Sequence, residues 1–180
     1  MNARVELEVG RMPTLFLNVM LYRRPAQLAV QASLLLALEP EGCLYRVGDL
    51  ADTLGVGAPY LAKVLQSLTR AGVLRAVRGP GGGVQFARSP REIHLWDILS
   101  AIEPASEFER CILGLKPCSD LNRCPLHEEW APIRTEIRRL LQTKNLWEFA
   151  AEARNRGVLY REPANRNASG QESPCAEGQP

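Results

Sequence analysis

Several chemistries are absent from this sequence. Its 180 residues contain only two histidines, His94 and His127, too few to offer much for a Cys-His nucleophile pair. None of its five cysteines lies in a Cys-x2-Cys-x2-Cys run of the ferredoxin kind, and no two stand roughly two to four residues apart, as zinc knuckles and ribbons require. The glycine-rich stretch 79–83 lacks the Gly-Lys-Ser/Thr ending of a nucleotide phosphate loop and precedes a strand-like run rather than a helix. Glu6 and Glu8 stand where a secretory signal would be basic, and the apolar run at residues 15–22 is too short for a membrane span and is interrupted by Asn18. An odd, clustered set of cysteines does not form a secreted disulfide framework and fits a reducing compartment. The expectation is a cytoplasmic protein with no membrane contact that is not an enzyme.

What is present supports one real core: 46% of the residues are hydrophobic, with length to spare for an appendage. A net charge of only +2 hides an uneven distribution. Lys63, Arg70, Arg75, Arg78, Arg88 and Arg91 fall between Ala58 and Arg91, where no Asp or Glu occurs. A run of one sign at that density is the footprint of phosphate binding.

Residues 1–19 show no clean periodicity, and Met12 and Met20 are both candidate starts of translation. Residues 26–38 are good helix formers, too apolar for a surface helix, and predict a buried first helix. Val47, Leu50, Ala51 and Leu54 mark a short second helix stopped by Gly55. Pro59 opens a third, striped by Leu61, Val64, Leu65 and Leu68. Two short helices joined by residues 55–58 have the length and glycine content of a helix-turn-helix. Residues 73–77 and 84–87, around a glycine tip at 78–83, read as a two-stranded wing. Ile93, Trp96, Ile98, Leu99 and Ile102 suggest one face of a further helix, with His94 at its cap. Trp130, Ile133, Ile137, Leu140 and Leu141 form an apolar seam along a longer charged helix, which needs a partner surface. Trp147, Phe149 and Ala150 suggest a final short helix, and from Gly157 the composition is that of a disordered tail. The fold class is mainly α with a small β wing, a winged helix-turn-helix followed by a long dimerisation helix. The expected divisions are an extension at 1–19, a DNA-binding unit at 20–102, a cysteine loop at 103–126, the dimerisation and final helices at 127–156, and the tail at 157–180.

Cys111, Cys118, Cys124 and His127 share 17 residues in the pattern Cys-x6-Cys-x5-Cys-x2-His. Soft thiolates with a borderline imidazole suit an iron-sulfur cluster or zinc rather than calcium or magnesium. Gly114, Pro117, Ser119, Asp120 and Asn122 are turn formers, which predicts an irregular loop able to wrap a bulky core. Cys43 and Cys175 are expected to be a packing and a tail residue.

Together, Leu28-Ala29-Val30, residues 47–51, Tyr60-Leu61, the Arg78-Gly-Pro-Gly-Gly-Gly wing, residues 96–99 and the cysteine loop resemble the Rrf-two superfamily of winged-helix regulators, the group with IscR-, NsrR- and BadM-type members, over roughly residues 20–153. The resemblance implies a homodimer, paired through the helix at 127–141, that binds a partly palindromic double-stranded operator and regulates transcription, here as a repressor. It implies that Ala58, Pro59, Tyr60, Ala62 and Lys63 face the major groove, and that Arg78, with Gly81 beside it, enters the minor groove. It implies a 2Fe-2S or 4Fe-4S cluster on Cys111, Cys118 and Cys124, with His127 as fourth ligand in the IscR manner and redox or nitric oxide as candidate signals. The nitric-oxide sensors use an acidic residue where Gln27 stands here. Ala62 replaces a Glu of many relatives, so base preference does not transfer. Two alternatives keep the DNA-binding role without a cluster, one zinc-stabilised and one thiol-redox; a redox enzyme or electron carrier is a third.

Overall fold

Pro25 sits in the first turn of helix α1 (Arg24–Ala37), where a missing amide hydrogen costs nothing. Ala26, Leu28, Ala29, Ala32, Ser33 and Leu36 bury one broad side of it. α1 is the axle of the fold. Residues 22–111, 113–115 and 123–156 are described by the structure, a computed structural model of the chain. Within them follow α2 (Val47–Leu54), α3 (Ala58–Arg70), β1 (Leu74–Val77), β2 (Gly83–Phe86), a 3-10 turn (Pro90–Glu92), α4 (Leu95–Ile102), a second 3-10 stretch (Ala105–Glu109), α5 (His127–Thr143) and α6 (Leu146–Arg156). α1 packs against α2, α3, α4 and α6.

The helix-turn-helix forms as its glycines predict. Gly55 closes α2 in the left-handed conformation at φ 65°, and Pro59 opens α3 directly after. Leu61, Val64, Leu65 and Leu68 turn inward onto Leu28, Leu50 and Ile98. Each fully buried leucine contributes about 1.5–3 kcal/mol. β1 and β2 pair antiparallel with Leu74 opposite Phe86 and Val77 opposite Gly83. Tyr45 joins the wing from outside, its amide donating to Val84 at 2.9 Å and its carbonyl accepting from Val84 at 2.8 Å. A Cβ on Gly83 would lie 2.1 Å from the Tyr45 carbonyl oxygen, so only glycine permits this approach.

His94 stands at the N-cap of α4, where its amide donates to the Asp97 carboxylate at 2.9 Å. Ile93 falls outside the helix but is fully buried, and its carbonyl accepts from the Leu146 amide at 2.7 Å, which ties α6 back onto the winged unit. Arg154 of α6 also donates to the Leu38 carbonyl.

The seam expected on α5 divides. Leu141 is buried and Ile137 half-buried in a second, smaller cluster with Ala26, Leu99, Trp96 and Phe108. Ile133 and Leu140 are 50% and 54% exposed, and with Leu126 at 42% they recur every seventh residue. The chain's own α4 region therefore takes one side of the seam, because the linker after α4 folds back beneath it. The N-terminal extension, Cys118, Cys175 and the tail lie outside the described residues.

Candidate nucleic-acid interface and cysteine loop

The apolar stripe of α3 is consumed by the core, so its other side is left to solvent. Ala58, Pro59, Tyr60, Ala62 and Lys63 are all exposed there, as are Arg78 and Gly81 on the wing. A groove runs between α3, the wing and the start of α2, and Arg46, Ala62, Lys63, Gln66, Arg78 and Gly81 are among the residues lining it. Ala58, Pro59 and Tyr60 stand at the α3 N-terminus outside that lining.

The six cations of the basic run are not equivalent. Arg88 is paired with Asp97 at 3.1 Å and also donates to the Glu92 carbonyl. Arg91 lies over the Trp147 ring, 3.7 Å from its centroid. Arg75 is tethered across the wing to Gln85, whose amide, oriented to satisfy both neighbours, accepts from it at 2.7 and 2.9 Å and donates to the Gly42 carbonyl. Lys63, Arg70 and Arg78 have no ion-pair partner among the described residues. Asp97 follows the basic run in sequence, and Arg46 precedes it; a count confined to residues 58–91 misses both. The signal for Arg46 was available in the sequence as an arginine at the start of the second helix, where a Ser or Thr cap is expected.

Cys111 is placed by the second 3-10 stretch and by α5. Trp130 donates its indole N–H to the Arg110 carbonyl at 3.2 Å, and Arg134 donates to the Glu109 carbonyl at 3.1 Å. The two residues before Cys111 are thereby fixed to the first turns of α5. Gly114, at φ 68°, folds the chain back with its amide donating to the Cys111 carbonyl at 2.9 Å. From the other side, the Cys124 carbonyl accepts from the His127 amide at 2.9 Å as α5 begins. These contacts bring the Cys111 and Cys124 sulfurs to 3.4 Å. Cys111 is buried, 5% exposed. A hydrogen bond from the Leu113 backbone holds its thiol below the ordinary value; burial opposes this, while Cys124 and the Leu115 backbone reinforce it.

His127 is buried at the first turn of α5. Among the described residues, no three ligating side chains gather as a metal group, and Cys118 lies outside those residues. Cys43 packs at the margin of the main core. Two sulfurs on one tetrahedral ion at about 2.3 Å stand roughly 3.8 Å apart, so the Cys111–Cys124 pair fits joint ligation after a small movement. Backbone hydrogen bonds to a cysteine sulfur are also among the features that tune iron-sulfur sites.

Residues 22–152 match the family model for Rrf2, described as an iron-dependent transcriptional regulator. A protein of Aquifex aeolicus (strain VF5) assigned to the HTH-type transcriptional regulators is 34% identical over 96 residues, 52% of this chain and 67% of its own. The regulator IscR of Aliivibrio salmonicida is 29% identical over 124 residues, 69% of this chain and 73% of its own. Among solved structures, CymR, the global cysteine regulator of B. subtilis, superposes with a TM-score of 0.61 at 19% identity, covering 72% of this chain and 95% of its own. T. potens IscR superposes at 0.58 and 24% identity, covering 72% and 85%. Both structural likenesses establish the winged-helix fold. The homologues are regulators rather than enzymes, and no helix among the described residues is long and apolar enough to cross a membrane. The match over residues 22–152, more than half of the chain, makes this protein a member of the Rrf2 family of DNA-binding transcriptional regulators.

Proposed function

We propose that the protein is a cytoplasmic, homodimeric repressor whose operator affinity is set by an iron-sulfur cluster held by Cys111, Cys118, Cys124 and His127. The observation that carries this reading is the 3.4 Å approach of the Cys111 and Cys124 sulfurs at the start of α5. Residues 20–102 serve as the DNA-binding unit, 103–126 as the sensing loop and 127–156 as the dimer element. The exposed Leu126, Ile133 and Leu140, one heptad apart, suit a second copy of the same helix. Ala58, Pro59, Tyr60, Ala62 and Lys63 meet the major groove of a partly palindromic operator, and Arg78 and Gly81 its minor groove.

When bound, the cluster would cross-link the cysteine loop reversibly to the start of α5. The chain's own residues do the rest. Trp130 and Arg134 transmit the position of residues 109–111 to α5, and Ile137 and Leu141 transmit the position of α5 to the winged unit. In a dimer, the position of α5 fixes the separation of the two α3 helices. Half-sites lie about one DNA turn apart, so a small change in that separation alters the number of contacts made.

The test starts with protein isolated without air. Its iron and sulfide content and visible absorption are measured, and operator binding is compared before and after cluster removal. Cys118→Ala and Cys124→Ala are expected to abolish the absorption and change operator affinity. Equal affinity with and without the cluster would reject the sensing role.

A second reading, thiol-redox regulation without a cluster, draws on the same sulfur pair. Two thiols at 3.4 Å, one of them with a lowered pKa, are poised for a Cys111–Cys124 disulfide when an external two-electron oxidant such as a peroxide takes up the electrons and the two thiol protons are released. Mass spectrometry of protein oxidised after metal removal distinguishes it, because the disulfide alone must then alter operator affinity. The zinc-stabilised alternative predicts zinc in place of iron and sulfide.

A further inference from the structure

Arg46 occupies the N-cap of α2, a position where Ser, Thr, Asp or Asn ordinarily satisfies an orphan helix amide. It makes no such side-chain bond, and a cation at the positive end of a helix dipole is unfavourable to the helix. Stability of α2 does not account for it. Its location does. Tyr45, the preceding residue, is locked to Val84 by two backbone hydrogen bonds, so Arg46 emerges directly beside the wing. The wing lies this close only because Gly83 has no side chain: a Cβ there would stand 2.1 Å from the Tyr45 carbonyl oxygen and 3.2 Å from the Arg46 amide nitrogen. Arg46 thus shares one groove with Lys63 of α3 and Arg78 of the wing. Three separate elements contribute one cation each, and none of the three has an ion-pair partner among the described residues. The intervening surface includes Gly48, Ala62, Gly79 and Gly81, which leaves room for a bulky chain between the charges.

We infer that Arg46 is a phosphate-contacting residue of the DNA interface, closing with Lys63 and Arg78 a three-cation groove that seats one sugar-phosphate strand of the duplex. This rests on the assignment of α3 and the wing to the DNA side. Arg46 contributes affinity and register and reads no base, because a phosphate carries no sequence information directly.

The full chain is titrated with a mixed-sequence duplex long enough for two half-sites, across a salt series, as wild type and as Arg46→Ser, Arg46→Lys, Arg78→Ala and Arg88→Ala. Arg46→Ser is expected to lower the slope of log affinity against log salt by about 0.9 for each protomer bound. Arg46→Lys keeps the slope, and so does Arg88→Ala, whose charge Asp97 already offsets at 3.1 Å. The melting temperature of Arg46→Ser stays level or rises, since serine restores a good cap; a purely structural role predicts the reverse. An unchanged slope in Arg46→Ser beside a lowered slope in Arg78→Ala overturns this inference alone. Unchanged slopes in both overturn the interface assignment beneath it.

Discussion

The winged unit at residues 24–102 and the region built on the cysteine loop and α5 are held by different means. In the first, Leu28, Leu50, Leu61, Leu65, Leu68 and Ile98 lie within one continuous core, each at most 1% exposed. The second adjoins the first through a smaller apolar cluster, in which Ala26 and Leu99 of the winged unit and Leu141 of α5 are buried and Tyr22, Trp96, Phe108 and Ile137 are half-buried. Polar ties supplement them: Arg23 pairs with Glu107 at 3.3 Å and approaches the buried Glu103 at 3.9 Å, and Arg138 lies 4.7 Å from the centre of the Trp96 ring. A region with few buried apolar contacts opens at lower free energy than the core beside it. A reader of DNA needs the first kind of construction, and the second suits the sensing role proposed for the cysteine loop.

That contrast is sharpened by mutations on each side. The largest effect is expected for Leu50→Ala, a fully buried position, at about 2–5 kcal/mol of global stability in chemical denaturation. Gly83→Ala pushes a methyl group into the Tyr45 carbonyl and is expected to cost about 1–3 kcal/mol, weakening DNA binding as the wing shifts. Phe108→Ala removes the partner of Trp96 at 4.6 Å and of Tyr22 at 6.1 Å. It is expected to cost about 0.5–1.5 kcal/mol per aromatic pair, with hydrogen exchange quickening in α5 while the winged core stays protected. Equal quickening in both regions would break the contrast.

A pH titration reports on the same cluster. Burial raises the Tyr22 phenol above its ordinary value of 10.0. Because the folded value is the higher one, this contribution to stability is complete below pH 10 and is lost as pH rises through the folded value. Ultraviolet titration should show the Tyr22 phenol ionising late, and Phe108→Ala should bring it back toward its ordinary value. The smallest effect belongs to Arg139→Ala, which breaks only the exposed Glu136–Arg139 pair and leaves the melting temperature unchanged.

Legibility in the sequence follows the same division. The helix-turn-helix was readable because its signals are local: Gly55 stops α2, Pro59 starts α3, and the stripe Leu61, Val64, Leu65 and Leu68 repeats at helical spacing. The exposed positions Ala58, Pro59, Tyr60, Ala62 and Lys63 follow from that stripe as its complement. The division of the α5 seam was not readable, because all five apolar residues look alike until Trp96 and Phe108 are known to fold beneath some of them. Nor was the loss of Arg88 to Asp97 or the placement of Arg46 against Gly83, which depend on backbone contacts between separate elements.

The sequence by itself determined the kinds of element and the chemistry on offer, since helical period, turn glycines and the clustering of thiols with an imidazole are properties of near neighbours along the chain. The tertiary structure alone decided which cations remain available to a phosphate, which side of α5 is left for another surface, and that Cys111 and Cys124, thirteen residues apart, bring their sulfurs to 3.4 Å. Each of these depends on where distant segments come to rest, and that is set by burial of a shared core rather than by any local preference.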